Sequence, residues 1–160
     1  ALVPGDLDGL DQPALALSSP SVTGEKEDGL LTMGEILKLK INADWVVLSA
    51  CNTGAAEGQG SEALSGLGKA FFYAGTRSLL VTMWPVETTS AKTLVAETFR
   101  MQKENKRLSR AQSLRQAIIE MIEHGVLTDQ ASGKIVAGYT HPLFWAPFVL
   151  VGDPGNAGVK

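Results

Sequence analysis

Two uninterrupted apolar runs stand out along the chain, Trp45-Val46-Val47-Leu48 and Leu79-Leu80-Val81. A run without polar alternation marks a strand covered on both faces, so strands are expected over residues 43–49 and 78–83. Between them, Ala63, Leu64, Leu67, Ala70, Phe71 and Ala74 recur at helical spacing. Ser61 is the expected cap of that helix and Gly75 its stop. A helix between two strands makes them parallel, because a hairpin needs no crossover.

The flanking segments are weaker signals. Residues 1–29 are rich in Gly, Pro, Asp and Ser, and read as loop apart from a short strand in ALALS (14–18). GEKEDG (24–29) reads as a solvated turn. Thr32 and Glu35 have the spacing of a capping box, which predicts a short helix to Leu39. Helices are expected from Thr88 to about Glu104 and, capped by Ser109, from Arg110 to His124. Residues 129–138 read as polar loop, and a closing strand is expected over 148–151. The order of elements is that of an α/β fold with parallel strands flanked by helices. Chemistry in such sheets gathers at the carboxyl ends of the strands. Cys51 and the WPVETT segment (84–89) both follow strand ends, so two parallel neighbours would bring them to one edge.

Composition narrows the possibilities. At 44% hydrophobic and 19% charged residues, the 160-residue chain can bury a core. A net charge of −3 gives no electrostatic reason to expect nucleic acid. No stretch approaches the ~18 apolar residues of a membrane span, and ALVPGDLDGL lacks the regions of a signal peptide. A single cysteine forms no internal disulfide, which fits a reducing cytoplasm. The chain opens on Ala1 rather than Met, and is expected to be a piece of a longer protein.

Cys51 carries the main chemical question. A thiol with a pKa near ~8.5 needs a base or positive potential to act as a nucleophile, and backbone N–H groups to hold the oxyanion. The glycine-containing turn after the strand offers the amides. His124, at a helix end before Gly125, reads as a favourable charge on the helix dipole. His141, before Pro142, reads as a loop-ordering residue. Neither completes a zinc-ligand pattern with Cys51, and Asp6, Asp8 and Asp11 lack the spacing of a calcium loop. From these residues alone, Cys51 is either a small buried filler or a nucleophile. Gly58-Gln59-Gly60-Ser61-Glu62-Ala63 fits a loose dinucleotide fingerprint, but its first glycine trails the strand by several residues.

Leu48-Ser49-Ala50-Cys51-Asn52-Thr53-Gly54, FFYAGTRSLLVTMWPVETTSA (71–91) and HPLFWAPFVLVGD (141–153) together resemble the CHAT domains, caspase-like cysteine peptidase domains found behind tetratricopeptide repeats in bacterial proteins. The resemblance covers nearly the whole chain and implies a domain over 1–153 with a tail over 154–160. It implies a caspase-like three-layer sandwich, a mostly parallel central sheet with helices on both faces, truncated at its N-terminus. The implied activity is that of a cytoplasmic hydrolase cleaving peptide bonds through a thioester on Cys51, without metal or organic cofactor. Trp84 and Glu87 fall in the family's substrate-pocket loop. There Glu87 would select a basic side chain, or instead stabilise the start of the following helix. The family's histidine belongs to an Ala-Thr-His-Gly segment expected upstream of Ala1, and neither His124 nor His141 matches it. The 160 residues alone are therefore expected to be inactive, and an exposed sheet edge is expected to promote self-association. The implied partners are a protein or peptide substrate and upstream tetratricopeptide repeats, with neither nucleic acid nor membrane. A non-catalytic caspase-like signalling domain is the alternative, and a nucleotide-binding α/β module the more distant one.

Overall fold

In a computed structural model, residues 1–24, 26, 28–48, 59–128 and 134–155 are described. Their elements, in chain order, are β1 (Ala14–Ala16), α1 (Pro20–Thr23), β2 (Leu30–Thr32), α2 (Met33–Ile36), β3 (Val46–Leu48), α3 (Gln59–Tyr73), β4 (Ser78–Thr82), α4 (Thr88–Glu104), α5 (Arg110–His124), β5 (Val126–Thr128), β6 (Ile135–Gly138) and β7 (Phe148–Gly152). The fold is mixed α/β. Two units follow one another along the chain, Ala1–Pro85 and Val86–Lys160.

In the first unit β3 and β4 are parallel, as the two apolar runs require. Val46 lies opposite Leu79, Val47 opposite Leu80 and Leu48 opposite Val81. All five residues of β4 are buried, the environment that an unalternating sequence demands. Leu67, Ala70 and Phe71 of α3, with Ala74 in the turn that follows, join Ile36, Leu48, Leu79 and Val81 in one core. Ser78 is fully buried in this sheet, and its hydroxyl donates to the Asp44 carbonyl at 2.9 Å.

The end of α3 follows from one glycine. Gly75 has φ +103°; its N–H donates to the Phe72 carbonyl, and the Thr76 N–H to that of Phe71. This is a Schellman cap, which consumes the helix's last carbonyls. A Cβ at Gly75 would stand 2.7 Å from the Ile41 carbonyl oxygen, so both backbone angle and space select glycine there. The start of α3 differs from the expectation. The helix begins at Gln59, so Ser61 lies inside it and is not its cap.

Residues 1–29 are more ordered than their composition indicates. β1 pairs antiparallel with β2, Ala14 opposite Thr32, and Leu2 exchanges two backbone hydrogen bonds with Ala14. The pairing was not legible because β2 is three residues long and runs directly into α2. The capping box is present: Thr32 accepts from the Glu35 N–H while Glu35 accepts from the Thr32 N–H. α2 ends at Ile36, sooner than expected, with a turn over residues 37–38.

The second unit is built on α4 and α5, joined by residues 105–109. Leu94 of α4 is buried, as are Leu114, Ala117 and Met121 of α5. Three buried hydroxyls on these helices bond back along their own chain: Ser90 to Glu87, Thr98 to Leu94 and Ser113 to Ser109. That local bonding lets small polar side chains sit inside without unmet donors. Ser109 caps α5 as expected, and Gln112 completes a capping box with it. β5 and β6 pair antiparallel around a register irregularity at Leu127/Thr128. The expected polar loop over 129–138 thus contains a strand at its end, Ile135–Gly138. The closing strand is β7.

Candidate active site

The parallel register brings the carboxyl ends of β3 and β4 level, Leu48 beside Val81. Cys51 is three residues past Leu48, and Trp84 three past Val81. Cys51 itself lies outside the described residues, as does Gly58 of the glycine-rich stretch. Gly60 of that stretch already belongs to α3, whereas a dinucleotide fingerprint requires its glycines in the turn before the helix.

Beyond Thr82 the burial stops, although the sequence stays apolar to Val86. Met83 is half-buried, and Trp84 is 38% exposed. Pro85 has no N–H to continue a ladder. The exposed indole is a large apolar surface presented at a strand end, where burial in the core would have been ordinary.

Glu87 opens the second unit as the N-cap of α4. Its backbone is extended (φ −64°, ψ 132°), and its two carboxylate oxygens accept from Thr89 N–H at 2.8 Å and Ser90 N–H at 2.6 Å. Partial burial pushes its pKa up, but these amide donors outweigh it and hold the carboxyl below the usual range. Glu87 is thus anionic at neutral pH and stabilises a helix start, one of the two roles its sequence position offered.

Tyr139 is the residue that the sequence pattern did not single out. It is 2% exposed and stacks edge-on to Phe144, with ring centroids 5.1 Å apart and planes at 69°. Its hydroxyl is buried with no hydrogen-bond partner among the described residues. Burial, then the negative charge of Glu87, pushes the phenol's pKa up, so it stays a neutral donor. The Trp145 indole N–H is also buried and without a partner there. Aromatic density in GYTHPLFW was the available signal, but only coordinates reveal which polar tips lack partners.

The two histidines have structural settings. His141 Nδ1 accepts from the Leu143 N–H at 3.1 Å and caps a 3₁₀ turn over Pro142–Phe144. His124 ends α5, with Nε2 3.9 Å from a Glu123 carboxylate oxygen. Among the described residues, Glu120, Glu123 and His124 offer ligand atoms within 4.8 Å of one another, all exposed. Asp6, Asp8 and Asp11 are exposed, and Asp6 accepts from the Val3 N–H at 2.8 Å, as in a solvated turn.

A parallel strand pair ending at the Cys51 and Trp84 segments is joined by a family-model match: the CHAT domain model covers residues 5–153 of the 160. The chain belongs to the CHAT domain family. This family is caspase-like and peptidase-related. No curated protein and no solved structure matches the chain significantly. The match runs through both units, so this CHAT domain includes the β3–β4 pair, the capped α4 and the aromatic segment before β7. No helix among the described residues is long and apolar enough to cross a membrane.

Proposed function

We propose that this CHAT domain is the nucleophile-bearing part of a caspase-like cysteine peptidase, with Cys51 attacking the scissile carbonyl. The observation that carries the reading is the register of β3 against β4, which aligns the exits toward Cys51 and Trp84. Family membership over most of the chain supports it. The wider architecture in this reading is the three-layer caspase-like sandwich.

In the first step the Cys51 thiolate adds to the carbonyl carbon, and backbone N–H groups hold the oxyanion. Collapse breaks the C–N bond, and the amine leaves with a proton from the base. Water then attacks the thioester, releasing the acid and restoring the thiol. The base is a histidine from a segment outside these 160 residues. His141 accepts at Nδ1 from the backbone of its own loop, and His124 is an exposed side chain at the end of α5. Without that base the rate falls by about 10²- to 10⁴-fold, so the chain by itself is expected to show no turnover.

Trp84 provides an apolar wall for the substrate residue before the cleaved bond. Glu87 offers its charge to a basic side chain there while capping α4. The substrate is a protein or peptide in the bacterial cytoplasm, presented through tetratricopeptide repeats. Chain extended upstream by the Ala-Thr-His-Gly segment should cleave peptides with a basic residue before the scissile bond. Glu87→Gln should lose that preference by about tenfold, the order of one partly desolvated ion pair. Equal cleavage of basic and acidic peptides by the unsubstituted protein would reject the role given to Glu87.

A non-catalytic caspase-like signalling domain is the second reading. It would hold if no histidine-bearing segment precedes the domain in the parent protein, and it predicts no acylation of Cys51 under any extension.

A further inference from the structure

Outside the candidate active site, the second unit holds a cavity of about 260 Å³ where α4 gives way to α5. Gln102, Lys106, Leu108, Ser109, Arg110 and Gly155 line it, and none of these described residues is acidic. Lys103, Lys106, Arg107 and Arg110 fall close together in sequence, and the one acid among them, Glu104, pairs with Arg100 at 2.6 Å. A chain of net charge −3 thus gathers positive charge at a single turn.

Arg110 separates this cavity from a patch of surface lysines. Its side chain is 9% exposed, and a guanidinium is costly to bury unless anions and acceptors meet it. The chain after β7 fixes its position: Nη1 donates to the Asp153 carbonyl at 3.3 Å and stands 3.7 Å from the Asp153 carboxylate. That carboxylate is exposed and also accepts from the Gly155 N–H at 2.8 Å. The Ala111 N–H donates to the Pro154 carbonyl at 3.3 Å, so residues 153–155 lie against the first turn of α5. Gly155 has φ +77°, and a Cβ there would meet both the Arg110 backbone nitrogen and Nη1 at 3.3 Å. Glycine keeps that wall of the cavity thin and the guanidinium within reach.

A fixed planar fork, an ammonium on a flexible stem and a side-chain amide are the donors that an oxyanion uses. We propose that this cavity binds a phosphate group, as inorganic phosphate or as the monoester of a small molecule, between Arg110 and Lys106. Two cations beside one carboxylate leave the cavity net positive, and the start of the 15-residue α5 adds to that sign. A phosphate monoester brings about two negative charges at neutral pH, where a carboxylate brings one. The site is independent of the peptidase reading, because it uses none of Cys51, Trp84 or Glu87.

The test is isothermal titration calorimetry of the 160-residue chain with inorganic phosphate, glycerol phosphate and acetate in separate arms. Phosphate should bind saturably and weaken as salt rises, with acetate weaker by about tenfold, the order of one lost charge-assisted bond. Tighter binding of glycerol phosphate identifies an esterified ligand, and its exclusion identifies the free anion. Lys106→Glu should weaken phosphate about tenfold, an exposed attraction turned repulsive. Lys92→Glu makes the same change in charge at an exposed α4 position outside the cavity lining, and should leave binding within about twofold. Arg110→Gln should abolish binding, with circular dichroism and thermal melts to establish that it remains folded. Because Lys106 is exposed, its variant decides the matter even where the Arg110 variant unfolds. Equal weakening by Lys106→Glu and Lys92→Glu would overturn the proposal, since net charge alone would then explain binding. So would absence of saturation by either phosphate, or acetate bound as tightly as phosphate.

Discussion

Glu87 is a carboxylate held anionic by the amides it caps, which gives it a pH signature. Its folded pKa lies below the unfolded value, so the stability it adds is fully present above the unfolded pKa, near ~4.3. That contribution is lost as pH falls through the folded pKa. Glu87→Ala should cost about 1 kcal/mol at neutral pH, the usual value of an N-cap. The cost should shrink below about pH 4, as urea unfolding across pH would measure. A penalty independent of pH would remove the charge from the explanation. Tyr139 makes the opposite prediction. Its buried hydroxyl has no partner among the described residues, so Tyr139→Phe removes a desolvated donor and should be neutral, or stabilising by about 1 kcal/mol. A loss of more than about 2 kcal/mol in the same assay would mean that the hydroxyl is bonded in solution.

At the scale of elements, strong patterns were legible and short ones were not. The run at Ser78–Thr82 announced a strand covered on both faces, and all of it is buried; its parallel partner Val46–Leu48 was read the same way, yet only Leu48 is buried there and Val46 and Val47 are half-exposed. The box at Thr32/Glu35 and the cap at Ser109 announced helix starts, since capping chemistry is local; that Gln112 completes a box with Ser109 came from the structure. β2 and β6, at three and four residues, are set by their partners and left little trace. Ser61 was misread as a cap because serine is also tolerated inside a helix, and nothing local excluded two earlier residues from α3. The cap at the other end is testable. Gly75→Ala combines a left-handed φ with a Cβ 2.7 Å from the Ile41 carbonyl oxygen, and should destabilise by about 2 kcal/mol or more. Thermal unfolding unchanged by that substitution would mean that the residues 74–76 turn relaxes freely.

For the whole molecule, the motif around Cys51 was legible as chemistry and the family match agrees with it. What the motif could not reveal is the setting of the pocket loop: that Glu87 caps a helix, or that Tyr139 hides an unpartnered hydroxyl. The cap is local, from Thr89 and Ser90 N–H groups to Glu87, and was one of two roles open in sequence, whereas the burial of the Tyr139 hydroxyl depends on packing that no local pattern encodes. β3 pairs with β4 on one side, and the sequence expectation of an exposed sheet edge carries a solution consequence. Light scattering should register association that grows with concentration, while a monodisperse monomer throughout a wide range would argue against an open edge. The most direct measurement concerns the thiol. Extend the chain upstream by the histidine-bearing segment, treat it with a thiol-reactive peptide probe, and locate the adduct by mass spectrometry. The account predicts an adduct on Cys51 that depends on the added histidine, and cleavage abolished by Cys51→Ala. Cleavage undiminished in Cys51→Ala would contradict it.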